Sequence, residues 1–184
     1  MNVPNTLTVL RVVMIPFFVA FMIGDITDVD KYIALGIFIA ASLTDTLDGY
    51  LARKNSQVTN FGKFMDPLAD KLLVCSALIC LMDMEKLQSW IVIVIISREF
   101  IISGFRLIAS DNGVVIAAGV WGKLKTVAQM FMIIFLIADF GGVFDTVNQI
   151  LVWLALVLSG VPCGLHFKEQ ASAEYAGLMW RDDE

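Results

Sequence analysis

Histidine is nearly missing from this sequence: His166 is the sole one in 184 residues. It has no carboxylate partner in the local sequence, so it reads as an interfacial side chain and not as a catalytic one. Cys75, Cys80 and Cys163 stand singly in apolar stretches. With no CxxC pair and no neighbouring histidine they exclude a zinc set and read as small core residues. Charge is scarce as well, at 17% of residues, and the net charge of -5 argues against a nucleic-acid partner. Long linkers, low-complexity tracts and internal repeats are all missing, which leaves one domain over residues 1–184. The first apolar run has no basic leader before it, no small-residue cleavage site after it and Pro16 inside it, so a signal peptide is not expected there.

What is abundant is hydrocarbon. Hydrophobic residues make up 58% of the chain and mean hydropathy is +0.79, more than a water-soluble core requires. The runs "VVMIPFFVAFMIG", "YIALGIFIAASL", "LLVCSALICLM", "WIVIVIIS", "VAQMFMIIFLIA" and "ILVWLALVLSG" each extend to about 20 residues, the length of a membrane span. They predict an all-α membrane protein with six transmembrane helices, near 5–24, 31–54, 61–84, 87–110, 118–140 and 146–167. The more polar start, "NVPNTLTVLR", reads as a segment lying along the inner interface before the chain enters the bilayer.

Charge placement orients these spans. Asp25, Asp28 and Asp30, then Asp83 and Glu85, then Asp139 and Asp145 mark loops poor in Lys and Arg. Arg53, Lys54, Lys63, Lys71, Lys123 and Lys125 mark the alternate loops. The positive-inside bias places residues 53–63 and 110–125 and both termini in the cytoplasm, and the expected location is the cell (inner) membrane, as a multi-pass protein.

Against this background, "DTLDGYLARKNSQVTNFGKFMDPLAD" places four aspartates in 26 residues. A charged side chain at a helix centre costs about 2.5 to 3.5 kcal/mol even on the lenient insertion scale, so they need a function. Asp45 and Asp48 are three apart, Asp66 and Asp70 four apart, so each pair shares a face of its own helix. A short loop joins the two helices and brings the pairs opposite each other at the cytoplasmic end. Four converging carboxylates repel unless cations lie between them. Two hard divalent ions, magnesium with manganese as the alternative, suit an all-oxygen set and form a clamp for in-line displacement at phosphorus. Gly49, Ala52 and Gly62 leave room for a substrate beside the aspartates, and Arg53 is placed to pair with a diphosphate. Gly36 and Gly104 read instead as points of close helix packing.

A second polar set lies in "SREFIISGFR" and "WGKLKT". Arginines in a span are functional by default. Arg98 and Arg106 with Lys123 and Lys125 are expected to form an anion pocket for an acceptor phosphate. An internal Arg98 to Glu99 pair that locks helices together is the alternative.

Asp45, Asp48, Gly49, Ala52, Arg53, Gly62, Asp66 and Asp70 fit, without a gap, the Asp-x2-Asp-Gly-x2-Ala-Arg-x8-Gly-x3-Asp-x3-Asp signature of the CDP-alcohol phosphotransferase family. The resemblance implies the CDP-alcohol phosphotransferase fold of six transmembrane helices, a homodimer, and a cytosol-facing site with two divalent cations. It also implies that the four aspartates are metal ligands, that Asp70 doubles as general base, and that Gly49, Ala52, Arg53 and Gly62 line the CDP pocket. "REFIISGFR", "GKLKT" and "PNTLTVLR" look like the branch of the family that uses CDP-diacylglycerol as donor and sn-glycerol 3-phosphate as acceptor and releases CMP. An enzyme with inositol phosphate or phosphatidylglycerol as acceptor is the alternative, and a cation transporter a more distant one. After "LVLSG" the sequence departs from that branch, and Pro162 is expected to bend or stop the last helix.

Overall fold

A computed structural model describes residues 3–24, 29–54, 60–111, 120–142 and 144–160, with side chains at 9–24, 29–44, 68–105, 107, 122–142 and 144–160. Among them the chain is all-helical: α1 (Val3–Ile23), α2 (Asp30–Lys54), α3 (Asn60–Asp83), α4 (Ser89–Asp111), α5 (Val120–Ala138) and α6 (144–160). The apolar runs set these elements, and clusters of Asp, Glu, Lys and Gly end them.

The α3–α4 turn shows how an end is made. Glu85 adopts a left-handed backbone, φ 58°. The Glu85 amide then donates to the Met82 carbonyl (3.0 Å) and the Lys86 amide to the Leu81 carbonyl (2.9 Å). This double closure satisfies carbonyls that a helix end otherwise leaves open. The Ile91 and Val92 amides donate to the Gln88 carbonyl and start α4. At the end of α5, Asp139 (φ 49°), Gly141 (φ 68°) and Gly142 (φ 63°) turn the chain into α6. Lys86 joins the two turns: its Nζ donates to the Leu136 carbonyl at 3.1 Å and to Asp139 Oδ2 at 2.9 Å.

α1 packs on α2 and α3, α2 also on α5, and α3 on α4 and α5. One core runs through the bundle, including Phe18, Phe38, Leu73, Leu78, Leu81, Ile95, Met132, Ile133 and, from α6, Val152 and Ala155. Phe18 and Phe38 meet with ring centroids 5.9 Å apart. Fully buried Ala34, Ala41, Ala69 and Ala77 let the helices approach closely. The outer surface is apolar too, with Phe17, Leu43, Ile93, Phe131, Ile150 and Val157 exposed. Among the described residues no helix is long and apolar enough to cross a membrane.

Two expectations change. The polar start is no separate interfacial segment, since α1 runs unbroken from Val3 through Pro16 to Ile23. Pro4 falls in the first turn, where a missing N–H costs nothing, and Arg11 is 1% exposed, buried within the bundle. Gly36 and Gly104 are not points of close packing either: a Cβ added at either would meet nothing within 4 Å. Cys80 is a core residue, while Cys75 is only half-buried. Cys163, Pro162 and His166 lie outside the described residues.

Candidate active site

The link between α2 and α3 is only residues 55–59, so the end of α2 and the start of α3 lie at one end of the bundle. Asp48 stands six residues before the end of α2, and Asp66 six residues after the start of α3. At 1.5 Å per residue both backbone positions are about 9 Å in from that end. By the same measure, positions 45 and 70 lie about 13 and about 15 Å in. The helices therefore carry the two pairs at matched depth. The side chains of Asp45, Asp48, Gly49, Ala52, Arg53, Gly62, Asp66 and Arg106 are outside the described residues. Among the described ones no three His, Cys, Asp or Glu side chains converge as a metal-ligand group.

Asp70 is half-buried and opens onto a cavity of about 40 Å³ between α2, α3, α4 and α5. At about 10–15 Å³ for each water this is room for a few water molecules. Its polar lining comprises Ser42, Asp70, Lys71, Glu99, Lys125, Thr126 and Gln129. Ser42 places the aspartate segment of α2 against this cavity, because position 45 is three residues on and falls on the same helix face.

Lys125 is 2% exposed, and its ammonium is paired with the Glu99 carboxylate. Glu99 also accepts from Arg98 Nη1 at 3.2 Å. One carboxylate thus holds two cations from α4 and α5, which offsets part of the cost of burying them. The alternative considered for Arg98, a pair with Glu99, is present, and the same pair draws in Lys125. Lys123 does not join them and is exposed. On a helix two residues subtend about 200°, so positions 123 and 125 face nearly opposite ways.

Three residues were not singled out from sequence. Ser42 was signalled by its one-turn spacing from Asp45, and Gln129 by its i+4 spacing from Lys125. Gln129 is 3% exposed, lines the cavity, and its Nε2 meets no hydrogen-bond partner among the described residues. Arg11, the third, was signalled only by being a lone cation in an apolar run.

The donor set fits hard divalent ions. The side chains of the four aspartate positions offer only carboxylate oxygens, the ligand type magnesium prefers. Of the four, the aspartate with a described side chain, Asp70, borders a cavity that also presents Ser42, Lys71, Glu99, Lys125, Thr126 and Gln129.

The sequence pattern of the CDP-alcohol phosphatidyltransferase family matches residues 1–161, and the chain belongs to that family. The family is one of membrane-associated enzymes. Curated relatives narrow the comparison. A Bacillus subtilis (strain 168) protein named CDP-diacylglycerol--glycerol-3-phosphate 3-phosphatidyltransferase is 48% identical over 143 residues, 72% of this chain and 74% of the relative. Proteins of the same name from Haemophilus influenzae and Rickettsia felis are 41% identical over 164 residues and 36% identical over 172 residues. These alignments span 86% and 91% of this chain, and 87% and 94% of the relatives.

Proposed function

We infer that the chain carries out the reaction for which these relatives are named. It transfers the phosphatidyl group of CDP-diacylglycerol to sn-glycerol 3-phosphate, giving phosphatidylglycerol phosphate and CMP. The observation that carries this reading is the cavity that Asp70, the last position of the eight-position signature, and the buried Lys125 both line.

The acceptor hydroxyl oxygen attacks the phosphorus that bears the diacylglycerol. The bond from that phosphorus to the bridging oxygen breaks, and CMP departs with the electron pair. The hydroxyl is too weak an acid to lose its proton unaided, so Asp70 is assigned to accept it as attack develops. Lys125 and Arg98, oriented by Glu99, are assigned to hold the acceptor phosphate, which brings a dianion. Gly49, Ala52, Arg53 and Gly62 are assigned to the CDP half of the donor, and Asp45, Asp48, Asp66 and Asp70 to two divalent cations. When bound, these cations neutralise charge on the diphosphate and on the departing CMP.

The same reading makes residues 1–184 one integral membrane domain with six spans, the site and both termini on the cytoplasmic side, working as a homodimer. The apolar outer surface supports the bilayer as solvent. An exposed apolar surface of this extent is not that of a soluble monomer.

The test is incorporation of radiolabelled sn-glycerol 3-phosphate into lipid by purified protein in detergent, with CDP-diacylglycerol supplied. Label should enter lipid, stop with chelator and return with magnesium. Asp70→Asn should lower turnover by at least about a thousandfold while CDP-lipid binding stays measurable. Label entering lipid only when inositol phosphate replaces glycerol 3-phosphate would reassign the acceptor, and normal turnover by Asp70→Asn would exclude the base.

A further inference from the structure

The end of the bundle opposite the aspartates holds a larger cavity than the catalytic one, about 250 Å³. It opens between the α3–α4 turn and the α5–α6 turn, and its walls come from the end of α5, the first turn of α4 and the first three turns of α6. On the measure by which one water needs about 10–15 Å³, it has room for a small organic group. Nothing in the transfer reaction uses this end.

Its lining is built for a ligand of mixed charge. Lys86 stands in the wall with two N–H groups engaged, by Leu136 and Asp139, which leaves a third donor for an anion. Asp139 and Asp145 supply acceptors and tip the lining to net negative. Asn148 adds a carbonyl oxygen, Oδ1, that is buried and meets no hydrogen-bond partner among the described residues. A buried acceptor without a partner is destabilising, and a bound donor removes that cost. At the rim Trp153 lies against Trp90, ring centroids 6.2 Å apart, and both are exposed. Exposed indoles on an apolar bundle suit the boundary between hydrocarbon and headgroups, where one ring finds both apolar and polar surroundings.

We propose that this cavity binds the headgroup of a phospholipid carrying a primary ammonium. The ammonium donates to Asn148 Oδ1 and the aspartates, the phosphate takes the remaining donor of Lys86, and the glycerol backbone passes the tryptophans. A quaternary ammonium has no N–H to satisfy Asn148, and an anionic polyol headgroup meets a net negative wall. The lipid is drawn from the leaflet opposite the active site. The inference uses the membrane reading above for this placement and does not depend on the transfer reaction.

The experiment measures the melting temperature of the full chain in detergent with short-chain phosphatidylethanolamine, phosphatidylcholine, phosphatidylglycerol or soluble phosphoethanolamine. Phosphatidylethanolamine should raise the midpoint by several degrees more than any of the other three. Asn148→Leu and Asp145→Asn, each compared with its own unliganded midpoint, should lose that increment. Both variants should incorporate glycerol 3-phosphate at the wild-type rate, which separates this site from the catalytic reading. Equal shifts with phosphatidylcholine or phosphatidylglycerol would overturn the proposal, as would an increment that survives in both variants. A shift with soluble phosphoethanolamine matching that of the lipid would overturn the lipid as its source.

Discussion

Glu99 organises the cationic half of the cavity, and its effect separates two lysines that the sequence alone grouped together. Lys125 is buried against Glu99 and lines the cavity, whereas Lys123 is exposed. A hydrogen bond to a charged group contributes about 1.5–3 kcal/mol. Lys125→Ala should therefore raise KM for glycerol 3-phosphate by roughly tenfold to a hundredfold and leave KM for CDP-diacylglycerol within about twofold. Lys123→Ala should change neither by more than about threefold, because an exposed charge is well screened. Steady-state kinetics with each substrate varied in turn separates the cases, and an effect of Lys125→Ala confined to the donor would move this cation to the other pocket. The difference between the lysines was open to sequence reading, since residues two positions apart on a helix do not share a face. The double pairing of Glu99 was not, because it joins α4 to α5, and only packing sets which faces of two helices meet.

Helices were the most legible feature of the chain. Each apolar run ends in charged or glycine-rich residues, and the six observed helices fall within a few residues of those runs wherever they are described. The start of α1 escaped, since polarity alone does not distinguish a segment on a surface from one whose Arg11 is enclosed by the bundle. The glycines escaped for a similar reason. Composition says that Gly36 and Gly104 permit close approach, and only the azimuth of α2 and α4 decides that nothing approaches them in this chain. Turn chemistry was equally hidden. Glu85 occupies the left-handed position at the end of α3, φ 58°, where a glycine avoids the clash of Cβ with the backbone. Glu85→Gly should stabilise the protein by about 1 kcal/mol, read as a higher midpoint of thermal unfolding in detergent. Asp139→Gly should show no such gain, although Asp139 also has positive φ, because it forfeits the ion pair with Lys86.

That ion pair ties the α3–α4 turn to the α5–α6 turn, so its titration bears on how the bundle closes at this end. The hydrogen bond from Lys86 holds the Asp139 carboxyl below the usual carboxylate range; burial opposes this, and the charge of Lys86 reinforces it. A carboxylate with a depressed folded-state pKa contributes stability that is present above its unfolded value, about 3.9, and lost as pH falls through the folded value. The Asp139 side chain is 47% exposed, so solvent screens the contribution. The difference in melting temperature between wild type and Asp139→Asn should be constant from pH 7 to about 5 and shrink below about 4. A difference unchanged down to pH 3 would mean that the pair does not titrate with folding. Lys86 and Asp139 also border the larger cavity, so acid should weaken headgroup binding over the same interval.

The enclosure of Arg11 also bears on how the protein is made. α1 leaves the ribosome before the helices it packs on, α2 and α3. Until they arrive, a guanidinium in the middle of this hydrophobic segment has no finished protein surroundings, and hydrocarbon is a poor host for it. On the membrane reading proposed above, the nascent α1 then waits beside the insertion machinery or near water, and its final lateral partition into the bilayer is coupled to translation of α3.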